Sequence, residues 1–460
     1  MKSIKIFLSI LLIYSAQANL PAQQNIKITS STFGSIEARQ IGPAAMSGRI
    51  TAIDAVNKES RIIYVGSAGG GIWKSINGGA SFKPVFDKYN QSIGCITIDQ
   101  KNPQIVWTGT GECNMRNSVS VGDGIYKSED GGDTWKNLGL ENSEHISKIV
   151  IDYSNGNTVY AAVPGALWSD SQERGLYKTT DGGRTWLKIL YVNEKTGCSD
   201  IEVDPKEPNR IYASMWQFRR TPWSFTSGGE GSGLYKSEDG GKTWKHIDKQ
   251  FSPDGLLGRI CLAIAPTEPK NIYAMVESKK TALYSSNDFG ENWTKESATE
   301  NAVARPFYFS TLVVDPTDAK RIYRPTFNLS ISVDGGKSFS EPSFESGWVH
   351  SDHHALWVDP LNPSHLLLGT DGGVYMSLDR GYNWRFLNNL PVSQFYHVSY
   401  DNDDPYNVIG GLQDNGSWAG PSRNANGIKN GDWKMIGGGD GFWAWRDKLD
   451  KDIYLSLIHI

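Results

Sequence analysis

SEDGGDTW (128–135), TTDGGRTW (179–186) and SEDGGKTW (237–244) are three copies of one string. Four looser copies accompany them: SINGGASF (75–82), SNDFGENW (286–293), SVDGGKSF (332–339) and SLDRGYNW (377–384). The acidic or amide position falls at 77, 130, 181, 239, 288, 334 and 379, in steps of 53, 51, 58, 49, 46 and 45. A period near fifty residues marks one supersecondary unit repeated along the chain. Each period holds four short apolar runs, in the second period SIGCITID (92–99), IVWTGT (105–110), GIYKS (124–128) and TWKNL (134–138). A polar, Pro-containing turn parts the first two runs, as in DQKNP (99–103), DPKEP (204–208), PTEP (266–269) and DPLNP (359–363). The box parts the last two. This pattern predicts an all-β chain, a β-propeller of four-stranded antiparallel blades. Seven full blades are expected, followed by a degenerate eighth and the start of a ninth.

The box has a structural reading. Its glycines permit a tight turn, its Asp accepts hydrogen bonds from turn amides, and its aromatic ring buries against the neighbouring blade. That role is expected for Asp130, Asp181, Asp239, Asp288, Asp334 and Asp379. Calcium is the rival reading of such strings, but the spaced ligands and terminal Glu of an EF-hand loop are missing.

The strings resemble the Asp-box, or bacterial-neuraminidase-type, repeat of sialidases, xyloglucanase-type glycoside hydrolases and the sortilin N-terminal propeller. RQIGPAAMSGRI (39–50), GTGECNMRNSVSVGDGIYKSEDGGDTW (109–135) and GLQDNGSW (411–418) carry a closer resemblance. It is to a secreted bacterial group described as sortilin-N-terminal-like or glycosyl-hydrolase-like, and it spans roughly 37 to 445. It implies a propeller, and either a binding function or glycoside hydrolysis.

The N-terminus reads MKSIKIFLSILLIYSAQA: two lysines, a short apolar run, then Ala16-Gln17-Ala18. It is a signal peptide, which predicts a secreted protein, periplasmic or extracellular. The expected organisation is signal peptide at 1–18, leader at 19–35, seven-bladed propeller at 36–393, and the degenerate eighth blade with a further start at 394–460. A strand near Ile36 to Ile41 is expected to pair with the last blade and close the ring. Stopping mid-blade leaves an unpaired strand edge. The chain therefore reads as a fragment, of tandem seven-bladed propellers or of one ten-bladed ring. Net charge is −4 with no basic stripe, which speaks against a nucleic-acid partner. Cys95, Cys113, Cys198 and Cys261 are too few for a disulfide framework and read as packed thiols. No cofactor is expected.

Pro-rich turns and boxes share one end of every blade, so the long insertions all fall at the other, top end. Loops on one rim of a rigid scaffold are where sites are built. The 111–124 loop offers Glu112, Asn114, Arg116 and Asn117, to bind a ligand or to brace itself. The 215–233 loop holds Trp216, Arg219, Arg220 and Trp223, whose rings can stack on sugars or pack the loop down. At 350–354, His350, Asp352 and His354 alternate and, if extended, share a face, a weak divalent-metal candidate against a polar channel lining. Asp371, Gln413, Asp414 and Asn415 top second strands in adjacent blades.

A glycosidase needs two carboxylates across a cleft. The candidates are Glu112, Asp352, Asp371 and Asp414. A sialidase does not fit, because the expected Arg-Ile-Pro is absent: Arg49-Ile50 is followed by Thr51. The sequence favours a binding or scaffold propeller that engages protein, peptide or glycan through its top loops, with no membrane span. The alternative is a xyloglucanase-like glycoside hydrolase.

Overall fold

The computed structural model describes Thr32, Gly34 and residues 38–460, apart from 118, 252–254, 297–298, 343–348 and 460. The expected signal peptide and most of the leader lie outside the described residues, as do 36–37 of the expected closing strand and 343–348 of the connection that enters the seventh blade. Residues Gln40–Ile460 form one compact unit and Met1–Arg39 another.

The described residues of the larger unit form nine antiparallel sheets that follow one another in chain order. Seven make a ring: blades 1 (50–84), 2 (93–137), 3 (148–190), 4 (196–246), 5 (260–295), 6 (313–332) and 7 (353–386). An eighth sheet (395–437) and a two-stranded ninth (440–459) follow. The second strands, such as Ile63–Ser67, Val106–Thr110 and Val159–Val163, are buried along their whole length. Sandwiched between neighbouring blades, they are apolar runs without alternation.

The boxes fasten this stack. Ser128 Oγ donates to Asp130 Oδ1 at 2.7 Å and accepts the Gly132 amide at 2.7 Å. Asp130 accepts the Thr134 amide at 2.8 Å and its hydroxyl at 2.5 Å, and these bonds pull its carboxyl down to about 2. Gly131 and Gly132 turn at φ 70° and 94°, where a Cβ would be strained. Asp181, Asp239, Asp288, Asp334 and Asp379 each accept the amide four residues on. The Gly131 amide bonds Gln104 O at 2.8 Å, which puts the box beside its blade's Pro-containing turn. Each box also reaches its neighbour. Tyr64 and Lys74 of blade 1 donate to Gly131 O, and Trp135 Nε1 donates to Val85 O at 3.0 Å.

Two details differ from the sequence expectation. Blade 6 has three strands, and its fourth is a single bridge, Ile331 to Ser340. Pro342 follows two residues later and has no amide to continue the ladder. The 215–233 loop is a hairpin extending blade 4, with Ile211–Thr221 paired to Ser224–Ser227.

Ring closure also differs. No described residue between 38 and 49 forms a strand; blade 7 packs directly on blade 1. Ile50, Val65 and Trp73 share one apolar cluster with Trp357, Leu367 and Val374. The first and seventh blades therefore meet, and a ten-bladed ring is excluded. The seven inner strands surround a polar channel of about 230 Å³ lined by Thr51, Gly94, Lys148, Ser199, Leu262 and Leu356, among others.

Blade 8 is tied to the ring by the segment before blade 1. Ile41, Ala45 and Met46 pack on Leu412, Trp418 and Trp433, and Trp433 Nε1 donates to Ile41 O at 2.8 Å. Ser393 Oγ donates to Pro43 O and Met46 O at 2.8 and 2.7 Å. All four cysteines are free and buried. Among the described residues no helix is long and apolar enough to cross a membrane.

Candidate functional site

The blade 2 insertion folds over the channel mouth. It starts at Gly111 with φ 89°, where a Cβ would lie 1.9 Å from Glu144 O, so only glycine fits. The Glu112 amide is held by Ser92 Oγ at 2.9 Å. Cys113 and Asn114 reach the channel lining, where Arg259 Nη1 donates to Cys113 O at 2.8 Å. Met115 is buried against Leu167, Trp216 and Phe218.

Asp371, in the turn after blade 7's second strand, is the hub of the top face. Arg49 grips it with both arms: Nε to Oδ1 and Nη2 to Oδ2, each at 2.8 Å. His354 Nε2 approaches Oδ1 at 2.8 Å and the Tyr308 hydroxyl donates to Oδ2 at 3.3 Å. The third arm of Arg49, Nη1, donates to Glu112 Oε1 at 3.0 Å. Arg49, Glu112, Asp371, His354 and Tyr308 are all buried. Against the burial cost, Arg49 and His354 hold Asp371 well below the usual carboxylate range. Burial raises Glu112 despite its Arg49 partner. Arg116 lies over the Tyr308 ring at 5.1 Å and donates to its hydroxyl at 3.2 Å.

Asp352 and Asp414 flank the hub, both left-handed at φ 62° and 58°. The Asp371 amide donates to Asp352 O at 3.0 Å, and Asn415 Nδ2 donates to Asp371 O at 3.1 Å. Desolvation and the Asp371 charge raise Asp352. Desolvation, then Asp371 and Asp440, push Asp414 up to about 6. The left-handed turn at Asp352 breaks the alternation that was to bring His350, Asp352 and His354 together. His350 bonds Ser351 O and Asp414 O instead, at 2.8 and 3.3 Å, while His354 bonds Asp371. Among the described residues no group of three or more His, Cys, Asp or Glu is arranged to hold a metal.

Between the ring and blade 8 lies a cleft of about 510 Å³. Arg49, Glu112, Arg116 and Asn117 line its ring side; Gln394, Tyr396 and Gln413 line the other. Arg220 Nη2 donates to Asn117 Oδ1 at 2.9 Å, which carries the cleft edge to the blade 4 hairpin. The structure thus gathers Glu112, Arg116, Asn117 and Gln413 around one cleft, with Arg220 at its edge, while Asp414 and Asn415 follow Gln413 in the chain and bond His350 and Asp371 beside it. It does not bring the hairpin rings there. Trp216 is fully buried, stacked on Phe218 at 4.1 Å with Arg259 5.0 Å over its face, so it packs. Trp223 stands 85% exposed at the hairpin tip. Arg219 pairs with Asp170 at 2.5 Å. Asn114 is buried beneath the insertion.

Sequence reasoning missed Tyr308 and Tyr396 and read Arg49 only as half of an absent sialidase signature. Tyr308 sits in RPFYFS (305–310), within an inter-blade connection as long as the insertions that were noticed. That length was the available signal.

No protein-family model matches the chain. It is 23% identical over 325 residues to a probable oligoxyloglucan-reducing end-specific xyloglucanase of Neosartorya fischeri, covering 61% of this chain and 36% of that protein. It is 24% identical over 314 residues to a xyloglucanase of Hypocrea jecorina, covering 60% and 33%. Among solved structures it resembles the GH74 xyloglucanase of Xanthomonas campestris, with TM-score 0.60 and 17% identity, over 82% of this chain and 60% of that one. The Niastella koreensis GH74 enzyme gives TM-score 0.61 and 17% identity, over 85% and 61%. The chain spans about a third of the length of these curated relatives. Its relatives are xyloglucanase-type β-propellers, and the structural likeness establishes the multi-bladed propeller fold.

Proposed function

We propose that the protein is an exported glycoside hydrolase of xyloglucanase-like type that binds a polysaccharide in the cleft between its ring and blade 8. The observation that carries this is Asp414. Its carboxyl, raised to about 6, belongs to the residue next to Gln413 of the cleft lining, in a chain whose sequence relatives are xyloglucanases. A carboxyl raised towards neutrality is what protonation of a leaving glycosidic oxygen requires. Glu112, which lines the ring side of the cleft and is held by Arg49, is the second carboxylate of this reading, and Asp371 serves as anchor because both its oxygens are taken by donors. Tyr396 offers a ring face to a sugar, while Arg116, Asn117 and Gln413 offer hydroxyl partners. The lysines, apolar run and Ala16-Gln17-Ala18 of the N-terminus support export, and such polysaccharides lie outside the cytoplasm.

The test is reducing-sugar release from xyloglucan, set against cellulose, mixed-linkage glucan and mannan. Xyloglucan should be cut, and Asp414→Asn should lower the rate by about 10²–10⁴-fold. A second reading, a binding propeller without chemistry, is favoured by the Arg49 clamp. That clamp occupies Glu112 and Asp371, two of the four candidate carboxylates. Calorimetric binding of xyloglucan oligosaccharides with no product release would decide for it.

A further inference from the structure

The seam between blades 7 and 1 lacks two contacts that several other seams use. The second residue of the second strand is Tyr64, Trp107, Tyr160, Tyr212, Tyr273 and Tyr323 in blades 1 to 6, and Leu367 in blade 7. Several of these rings reach across to the next blade. Tyr64 OH donates to Gly131 O at 2.6 Å, Tyr212 OH to Phe289 O at 2.9 Å and Tyr273 OH to Ala319 O at 2.9 Å. Leu367 has no hydroxyl to do so. The box facing it ends in Phe82, which, like Phe339 of blade 6, lacks the indole N–H with which Trp135, Trp186 and Trp244 bond the preceding blade. The seam keeps its apolar cluster and gains polar bonds elsewhere. At the box end Asn389 Nδ2 donates to Gly79 O at 2.9 Å. At the top, Arg49 leads into blade 1 and grips Asp371 of blade 7 through two 2.8 Å bonds.

We propose that Arg49 is the positioning residue of the cleft: the guanidinium that clasps the first and seventh blades also fixes the Glu112 carboxylate at the cleft floor. Its three arms end on two residues, Asp371 of blade 7 at 2.8 and 2.8 Å and Glu112 of blade 2 at 3.0 Å, so that with blade 1, which Arg49 leads into, it joins three blades. A planar fork with five donors suits two carboxylates at once, which lysine's single ammonium does not. Seam closure and cleft shape therefore depend on one side chain. The clasp stands on geometry alone; its consequence for glycans rests on the reading proposed above.

Hydrogen exchange read by mass spectrometry on the whole chain tests it. In Arg49→Met, strands 50–55 and 366–370 and segment 111–116 should exchange at least about tenfold faster, while 211–221 and 260–264 stay protected. Arg49→Lys should fall between. Should Arg49→Met fail to fold, the charge-free variant Arg49→Met/Glu112→Gln/Asp371→Asn removes the stranded carboxylates and should still expose 50–55, 366–370 and 111–116 while 211–221 and 260–264 stay protected. Wild-type protection at seam and cleft in the variant that folds, or equal loosening of all blades, would overturn the proposal.

A second readout separates positioning from mere support. Asp414 faces Asp371, Asp440, Arg49, Arg116 and Tyr396, so losing Arg49 should move the alkaline limb of xyloglucan cleavage to higher pH. An unmoved limb with the exchange pattern present would reduce Arg49 to a seam clasp and overturn its positioning role. If wild type neither binds nor cuts xyloglucan but the exchange pattern appears, the hydrolase reading falls and the clasp stands. If wild type cuts xyloglucan and the pattern is absent, the clasp falls.

Discussion

Ser128 shows how much one hydroxyl holds at the residue scale. Its buried Oγ bonds the Asp130 carboxylate and the Gly132 amide, and Ser128→Ala leaves both without that partner. We expect a loss of about 1–3 kcal/mol, the cost of an unsatisfied buried group, in urea unfolding. The exposed Trp223 at the hairpin tip should behave oppositely, with Trp223→Ala changing stability by less than about 0.5 kcal/mol. His145 and His353 give a pH signature. Burial lowers their imidazoles to about 4 and about 3. A histidine with a depressed folded pKa contributes stability above its unfolded pKa of about 6.5 and loses it as pH falls through the folded value. The calorimetric melting temperature should therefore drop from pH 6.5 towards pH 4. His145→Gln should flatten that slope; an unchanged slope would remove His145 from the account.

At the scale of elements, the blade is a unit completed by its neighbours. Trp135 is carried by blade 2 but buries its ring against Phe86 and Val85 beyond blade 1. Trp135→Ala should cost about 3–5 kcal/mol in the same urea titration, several times any exposed substitution. This is also where the sequence was most legible. Box, Pro-containing turn and apolar run recur because each blade meets the same local demands, so strand number and order could be read without coordinates. The blade 4 hairpin was less legible. The alternation of Trp216, Phe218 and Arg220 is strand-like, but aromatic and arginine side chains on a rim suggest a binding loop just as readily. Blade 6's missing strand turned on one proline, a detail below the resolution of a repeat.

For the whole molecule, what mattered could not be read locally. Arg49 and Asp371 lie 322 positions apart and meet because seven blades return to their start. No spacing rule links them, and the same holds for Glu112, Tyr308 and Tyr396 around the cleft. The candidate carboxylates were legible as residues on one rim, but their roles were not. Only the fold shows that Asp371 is saturated by donors while Asp414, next to Gln413 of the cleft lining, is raised to about 6. The central claim is that Asp414 is the proton donor of a xyloglucan-cutting cleft, and the pH–rate profile of cleavage tests it most directly. As a general acid, Asp414 must be protonated, so the wild-type rate should fall as pH rises through about 6, and Asp414→Asn should lower the rate by about 10²–10⁴-fold and flatten that limb. A wild-type profile without an alkaline limb near 6, or an Asp414→Asn enzyme that cuts at the wild-type rate, would contradict it.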